Sequence, residues 1–155
     1  MTSQVIQGLQ DNGVAATIKH FAANEQETSR ARVDESISER ALRGIYLRRF
    51  EIASKEANPW AVMTAYNLVN DTHCDAHHFI FHDVFQGSWG WDGLVIGNGG
   101  GTNSVIDALR AGSDLEMPGL AKVRKLSVIK DFIQRGELSE YTINDRARAV
   151  HLLLR

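Results

Sequence analysis

Leu94-Val95-Ile96-Gly97-Asn98-Gly99-Gly100-Gly101-Thr102-Asn103-Ser104 is the stretch on which the fold turns. Three apolar residues give way at once to glycines and polar residues, which predicts a short buried strand ending abruptly in a loop. In parallel α/β sheets and barrels, reactive groups sit where strands run out at their C-terminal edge, and glycine there lets a ligand or backbone approach closely. A plain strand-to-helix turn fits the same pattern, and the stretch alone leaves both readings open.

Strand and helix signals alternate on either side of it. Upstream, residues 14–21 are strand-like and end in Lys19-His20-Phe21, and residues 60–66 form a second strand ending in Tyr66 and Asn67. Between them, after a polar loop at 24–30, residues 36–57 carry a helical period. Ile37, Ala41, Ile45 and Ile52 lie near one line, with Leu42, Tyr46, Phe50 and Ala53 beside it, and Asn58-Pro59 stops the helix. A helical piece at 76–86 leads through the glycine-punctuated segment 87–93 into the strand at Leu94. Downstream come a helix at 103–110, a brief strand at 114–117 stopped by Pro118-Gly119, and helices at 121–134 and 139–154. Ser139 suits an N-cap and Gly136 a C-cap. Four successive β-α units predict an α/β fold with parallel strands, part of a (β/α)8 barrel, in a single domain over 1–155.

With 155 residues and 43% apolar content, the chain is large enough for one domain with a real core. Seventeen basic against nineteen acidic residues, a net charge of −2, provide no basic field for nucleic acid and no polybasic membrane patch. The N-terminus lacks a signal-peptide pattern and no apolar run is long enough to span a bilayer, so the chain as written reads as cytoplasmic. Cys74 is the single cysteine and reads as a small buried thiol.

Several side chains stand out chemically. Lys19 and His20 place charge at a strand end, which suggests a site, against the plainer reading of a snorkelling lysine and a hydrogen-bonded neutral histidine. His73, Cys74, His77, His78 and His82 lie close in sequence, and His78 and His82 would share a helix face, an arrangement open to zinc though matching no standard spacing. Asn70-Asp71-Thr72 is a glycosylation sequon, relevant only on the secretory route. Arg43, Arg48 and Arg49 read as a solvated helix face.

Four segments in order, Lys19-His20-Phe21-Ala22 with Asn24-Glu25-Gln26-Glu27, Val62-Met63-Thr64-Ala65-Tyr66-Asn67, Trp89-Gly90-Trp91-Asp92-Gly93, and Asp114-Leu115-Glu116-Met117-Pro118-Gly119, resemble the barrel domain of glycoside hydrolase family 3. Fungal β-glucosidases are the nearest in character. The resemblance implies a retaining glycosidase that releases terminal β-glucosyl units through a covalent glycosyl-enzyme, using one carboxylate to attack and one carboxylic acid to protonate the leaving oxygen. It implies that Lys19 and His20 hold sugar hydroxyls and that Tyr66 stands close to the nucleophile. It implies no cofactor and no metal, with a β-glucoside or glucose as the small-molecule partner.

The opening stretch departs from that pattern. Where the family usually reads Ser-Asp-Trp, this chain reads Gly97-Asn98-Gly99, so an amide stands in the nucleophile's position. An amide has no anionic oxygen to form a glycosyl ester or to stabilise charge at the anomeric carbon. Gly99 also removes the tryptophan wall of the sugar pocket. The resemblance begins at about the fifth barrel strand, and the family's acid/base glutamate comes from a following domain. Glu25, Glu27 and Glu116 read as solvated or structural carboxylates. The expectation is therefore an inactive relative of a β-glucosidase, the alternatives being a non-catalytic sugar-binding or interaction remnant and a histidine-cluster metal module. Open sheet edges predict either a homodimer that closes them or a poorly soluble, partly molten chain, and Asn98-Gly99 is a dipeptide prone to deamidation.

Overall fold

The computed structural model describes residues 1–154. In chain order the elements are α1 (Thr2–Gln10), β1 (Thr17–Phe21), β2 (Asp34–Glu35), α2 (Glu39–Ala41), a π-helical turn (Leu42–Tyr46) and α3 (Arg48–Ala57). There follow β3 (Ala61–Thr64), β4 (Leu68–Val69), β5 (Thr72–His73), a 3-10 turn (Cys74–Ala76), a π-helix (Phe79–Ser88), β6 (Leu94–Ile96), α4 (Ile106–Ala111), α5 (Leu126–Gln134) and α6 (Glu140–Leu153).

The main sheet has the order β1-β3-β6, all parallel, with Thr17 opposite Ala61 and Ala61 opposite Leu94. Parallel neighbours require crossovers, and the helical segments between successive strands provide them. The fourth strand expected at 114–117 is reduced to one parallel bridge, Ile96 to Leu115. Asp114 accounts for the shortness: its carboxylate accepts from the Val95 N–H (2.8 Å), while the N–H groups of Asp114 and Leu115 both donate to Val95 O. Pro118 then prevents the strand from continuing. A smaller sheet, β2-β4-β5, lies apart from the main one in pairing.

The core is aromatic at its centre. Phe21, fully buried at the end of β1, packs edge-on against Phe50 (4.9 Å between centroids) and Phe85 (4.4 Å) and lies 5.9 Å from Phe81. Trp91 packs against Phe85 and satisfies its indole N–H on Pro59 O at 2.8 Å, so a large side chain is buried without an orphaned donor.

Two helical expectations need correction. The period at 36–57 treats the segment as one straight α-helix, but the turn at Leu42–Tyr46 is π-helical and Leu47 N–H reaches back five residues to Leu42 O (2.8 Å). One extra residue in that turn rotates the apolar face. Leu42, Leu47, Phe50, Ala53 and Ala57 are buried, whereas Ile45 and Ile52 are 68% and 38% exposed, so the row beginning at Ile37 is not the core face. The helix ends as expected, at Asn58 in the left-handed conformation. The second is an omission, α1, which the sequence reading leaves unassigned; it docks by burying Ile6 against Ala53 and Ala57 and by polar contacts, Ser3 Oγ donating to Glu56 (2.7 Å), Gln7 Nε2 to Glu56 O (3.0 Å), and Gln10 Oε1 accepting from Trp60 N–H (2.9 Å). Ser139 caps α6 by accepting from Thr142 N–H, and Gly136, with φ of 72°, follows α5. Among the described residues, no helix is long and apolar enough to cross a membrane.

Candidate functional site

Three parallel strands end at the same edge of the main sheet, and the residues that follow each end form the site. At β1 the register shifts: Ile18 faces Val62 but Phe21 faces Thr64, so β1 carries one residue more than β3 over this span. Such a bulge re-aims side chains at the end of a strand. Lys19 is exposed and His20 is half-buried there, both lining a cavity of about 650 Å³ whose other walls come from α1 and α3 and whose rim carries Asn24, Glu25 and Arg49. Arg49 and Glu25 form an ion pair across that rim. Burial, then the charges of Lys19 and Arg30, push the His20 imidazole below its usual pKa, which keeps it neutral with one donor and one acceptor nitrogen.

At the end of β3, Tyr66 reaches the loop after β6. Its hydroxyl donates to Gly99 O at 2.9 Å, and the Arg30 guanidinium stacks over its ring at 4.7 Å from the centroid. The closeness depends on Gly101: a Cβ there would lie 2.9 Å from Tyr66 Cδ1 and 3.0 Å from Cε1.

Asn98, 7% exposed, lies at the centre of that loop. Its N–H donates to Thr64 Oγ1 (3.3 Å), its backbone carbonyl accepts from Gly101 N–H (2.7 Å), and its side-chain Oδ1 accepts from Gly99 N–H (2.9 Å). Its Nδ2 is buried with no hydrogen-bond partner. Gly100 N–H is tied to Met117 O (2.7 Å) and Gly97 N–H to Leu115 O (2.8 Å), so the segment after Leu115 fixes the loop from behind. Thr102 Oγ1 sits 2.9 Å from where a Gly97 Cβ would stand, which excludes a side chain at 97 without movement.

The structure thus joins Tyr66 to the Asn98 loop by direct contact and sets Lys19 and His20 at the same sheet edge, beside the cavity flanking β1. Three further residues belong with them that the sequence did not mark as site residues, Thr64 appearing there only within the 62–67 segment. Arg30 bridges the two halves electrostatically, stacking on Tyr66 and acting on His20. Thr64 holds the Asn98 backbone. Asp75, fully buried, accepts from the Asn103 N–H (2.9 Å) and Nδ2 (3.1 Å), anchoring the far end of the glycine loop.

Other sequence expectations resolve here. The Glu116 carboxylate accepts from the N–H groups of Lys122, Val123 and Arg124 at 2.7 to 2.9 Å. Partial burial works to raise its pKa, but those three donors and the Arg124 charge outweigh it and hold the carboxyl below its usual range. It is structural. The zinc arrangement is not formed: the His78 and His82 rings stack at 4.2 Å, His82 Nε2 contacts Arg110 O, and among the described residues no three His, Cys, Asp or Glu side chains converge. Cys74 is buried against Ala22 O and burial pushes its thiol up to about 12, so it is unreactive. Asn70 of the sequon already uses both ends of its amide on the Ile37 backbone.

Residues 1–153 match the family described as Glycosyl hydrolase family 3 N terminal domain. The chain is 59% identical over 154 residues to Beta-glucosidase B of Emericella nidulans, covering 99% of this chain and 18% of that protein. It superposes on β-glucosidase 3B from Thermotoga neapolitana in complex with α-D-glucose with a TM-score of 0.90 and 41% identity, over 95% of this chain and 21% of that one. For β-glucosidase from Kluyveromyces marxianus in complex with glucose the TM-score is 0.94 and the identity 38%, over 97% and 18%. The chain therefore spans about a fifth of the length of these relatives, and its parallel strands and outer helices form an arc of a (β/α)8 barrel.

Proposed function

The chain belongs to glycosyl hydrolase family 3, as a β-glucosidase-like N-terminal domain, and from that membership we propose that it presents one side of a glucose subsite without turning glucosides over. Lys19 and His20 hold sugar hydroxyls at the end of β1, Tyr66 shapes the pocket floor, and Asn98 occupies the position of the nucleophile. The observation that carries this reading is the Asn98 loop itself, in which Asn98 is buried and the loop is fixed from three sides by Thr64, Tyr66 and the segment after Leu115. That is the rigidity a group attacking an anomeric carbon requires. Glucose in two solved relatives supports the ligand class.

The chemistry at 98 limits the outcome. An amide cannot form the glycosyl ester, and Tyr66 spends its proton on Gly99 O rather than on residue 98. Binding rests on a few hydrogen bonds, each with a net contribution of about 0.5–1.5 kcal/mol, so affinity for glucose is weak. The test is intact-protein mass spectrometry with dinitrophenyl β-glucoside, whose leaving group needs no protonation. No adduct forms on the native chain and at most a trace on Asn98→Asp; stoichiometric labelling of the variant, or steady hydrolysis of an unactivated glucoside by the native chain, overturns the reading.

The same proposal extends to assembly. β1 has an open edge, and Val5, Leu9 and Val14 beside it are 58%, 42% and 52% exposed, which favours two copies closing on one another as a homodimer. A compact, cooperatively unfolding monomer in sedimentation runs counts against it.

A further inference from the structure

The geometry points to Asn98 as a site of spontaneous chemical conversion, in which the side-chain amide becomes a carboxylate through attack by the Gly99 backbone. Two Asn-Gly pairs occur in the chain, Asn12-Gly13 and Asn98-Gly99. Exposure alone favours the first: Asn12 and Gly13 are both exposed, whereas Asn98 is 7% exposed. The hydrogen bonds favour the second. Asn12 Nδ2 donates to Gly8 O at 2.8 Å and Gly13 N–H donates to Gln10 O at 3.0 Å, so the leaving group and the attacking nitrogen are both held elsewhere. At Asn98 the opposite holds. The Gly99 N–H points at the Asn98 side-chain carbonyl (2.9 Å), which brings the attacking nitrogen beside Cγ, and Nδ2 has no partner to lose on departure.

The reaction is a displacement with no change of oxidation state. The Gly99 amide nitrogen gives up its proton to solvent base and bonds to Asn98 Cγ. The Cγ–Nδ2 bond breaks, and the nitrogen leaves as ammonia after taking up a proton. Water then opens the five-membered imide. Attack at Cγ gives aspartate at 98, and attack at the backbone carbonyl carbon gives the isoaspartyl linkage. Gly99 and Gly100 are exposed, so water reaches the ring although the Asn98 side chain is covered. Held reacting groups gain rate because little orientation remains to be found.

Aspartate is the product with consequence, because it sets a carboxylate in the nucleophile's position; that consequence rests on the family reading, while the conversion does not. The experiment is peptide mapping of the native chain through a prolonged incubation at mildly alkaline pH, separating Asn, Asp and isoAsp forms of the peptides that contain residues 12 and 98. Conversion at 98 outpaces that at 12 several-fold. Gly99→Ala slows it roughly tenfold, equivalent to a small rise in barrier, because a methyl group hinders the attacking nitrogen. The variant folds, since a Cβ at 99 meets nothing nearer than Tyr66 Oη at 4.0 Å, and circular dichroism checks this. Conversion of Asn12 ahead of Asn98, an unchanged Asn98, or undiminished conversion in folded Gly99→Ala each overturns the proposal. Glucoside labelling of Asn98→Asp fails or succeeds independently of these readings.

Discussion

Replacing Gly101 by alanine tests whether the Tyr66 ring and the Asn98 loop form one packed unit. The added Cβ would lie 2.9 Å from Tyr66 Cδ1, 3.0 Å from Cε1 and 3.3 Å from Asn98 O, the first of these closer than carbon atoms sit in a packed interior. Gly101 is not among the glycines with positive φ, so the cost is steric rather than conformational. Relief requires the ring to swing, which breaks the 2.9 Å bond from its hydroxyl to Gly99 O and lifts the ring from Arg30. Overpacking of about 1–3 kcal/mol and the lost hydrogen bond of about 0.5–1.5 kcal/mol together give a loss of roughly 1.5–4.5 kcal/mol. Urea unfolding of the native chain, Gly101→Ala, Tyr66→Ala and the double variant measures it. The reasoning fails if Gly101→Ala costs less than about 0.5 kcal/mol, or if its cost is unchanged once the tyrosine ring is gone, since the clash is then not with Tyr66.

Burial raises the Asp114 carboxyl from the usual 3.8 to about 6 despite its 3.0 Å ion pair with Arg146. Between those values the folded chain holds a proton that the unfolded chain has released, so stability falls as pH rises through that window, by on the order of 3 kcal/mol when complete. Asp114→Asn removes most of that slope in urea midpoints compared across it; a parallel slope in the variant refutes the assignment. Glu116→Ala leaves the N–H groups of Lys122, Val123 and Arg124 without their acceptor and costs about 2–3 kcal/mol, with Glu116→Gln recovering part; equal stability of the two variants argues against a specific role for the oxygens. Phe21→Ala, at the centre of four aromatic neighbours, costs about 3–5 kcal/mol by thermal or urea unfolding, and a loss below about 1.5 kcal/mol contradicts the placement of the core.

The three strands of the main sheet were legible because each is a short apolar run with a polar or glycine-rich end, whereas the two-residue strands β2, β4 and β5 are too short to leave a period. The long helix was legible as a helix, and of its broad apolar face the row of Leu42, Phe50 and Ala53 is the buried one. A single π-turn at Leu42–Tyr46 moves Ile45 and Ile52 outward, and nothing in residue type marks where a backbone hydrogen bond will skip one residue further. α1 has a weaker signal: its apolar period is confined to Val5, Ile6 and Leu9 among glutamines and serine, which dock on Glu56–Asn58 by hydrogen bonds.

The site divides in the same way. Lys19, His20, Tyr66 and Asn98 each belong to a local motif, so sequence order was enough to nominate them. Arg30, Thr64 and Asp75 act across distance, as in the Asp75 bonds to Asn103, 28 residues away, and only folding brings them to the loop. Asn98 shows what each level can say. Its residue type offers an amide and no anionic oxygen. Its surroundings add that the loop offers Oδ1 a donor, the Gly99 N–H, but offers Nδ2 no acceptor. A buried polar group left without a partner costs about 1–3 kcal/mol. The amide nitrogen is therefore unanchored, and its departure in the proposed conversion breaks no hydrogen bond.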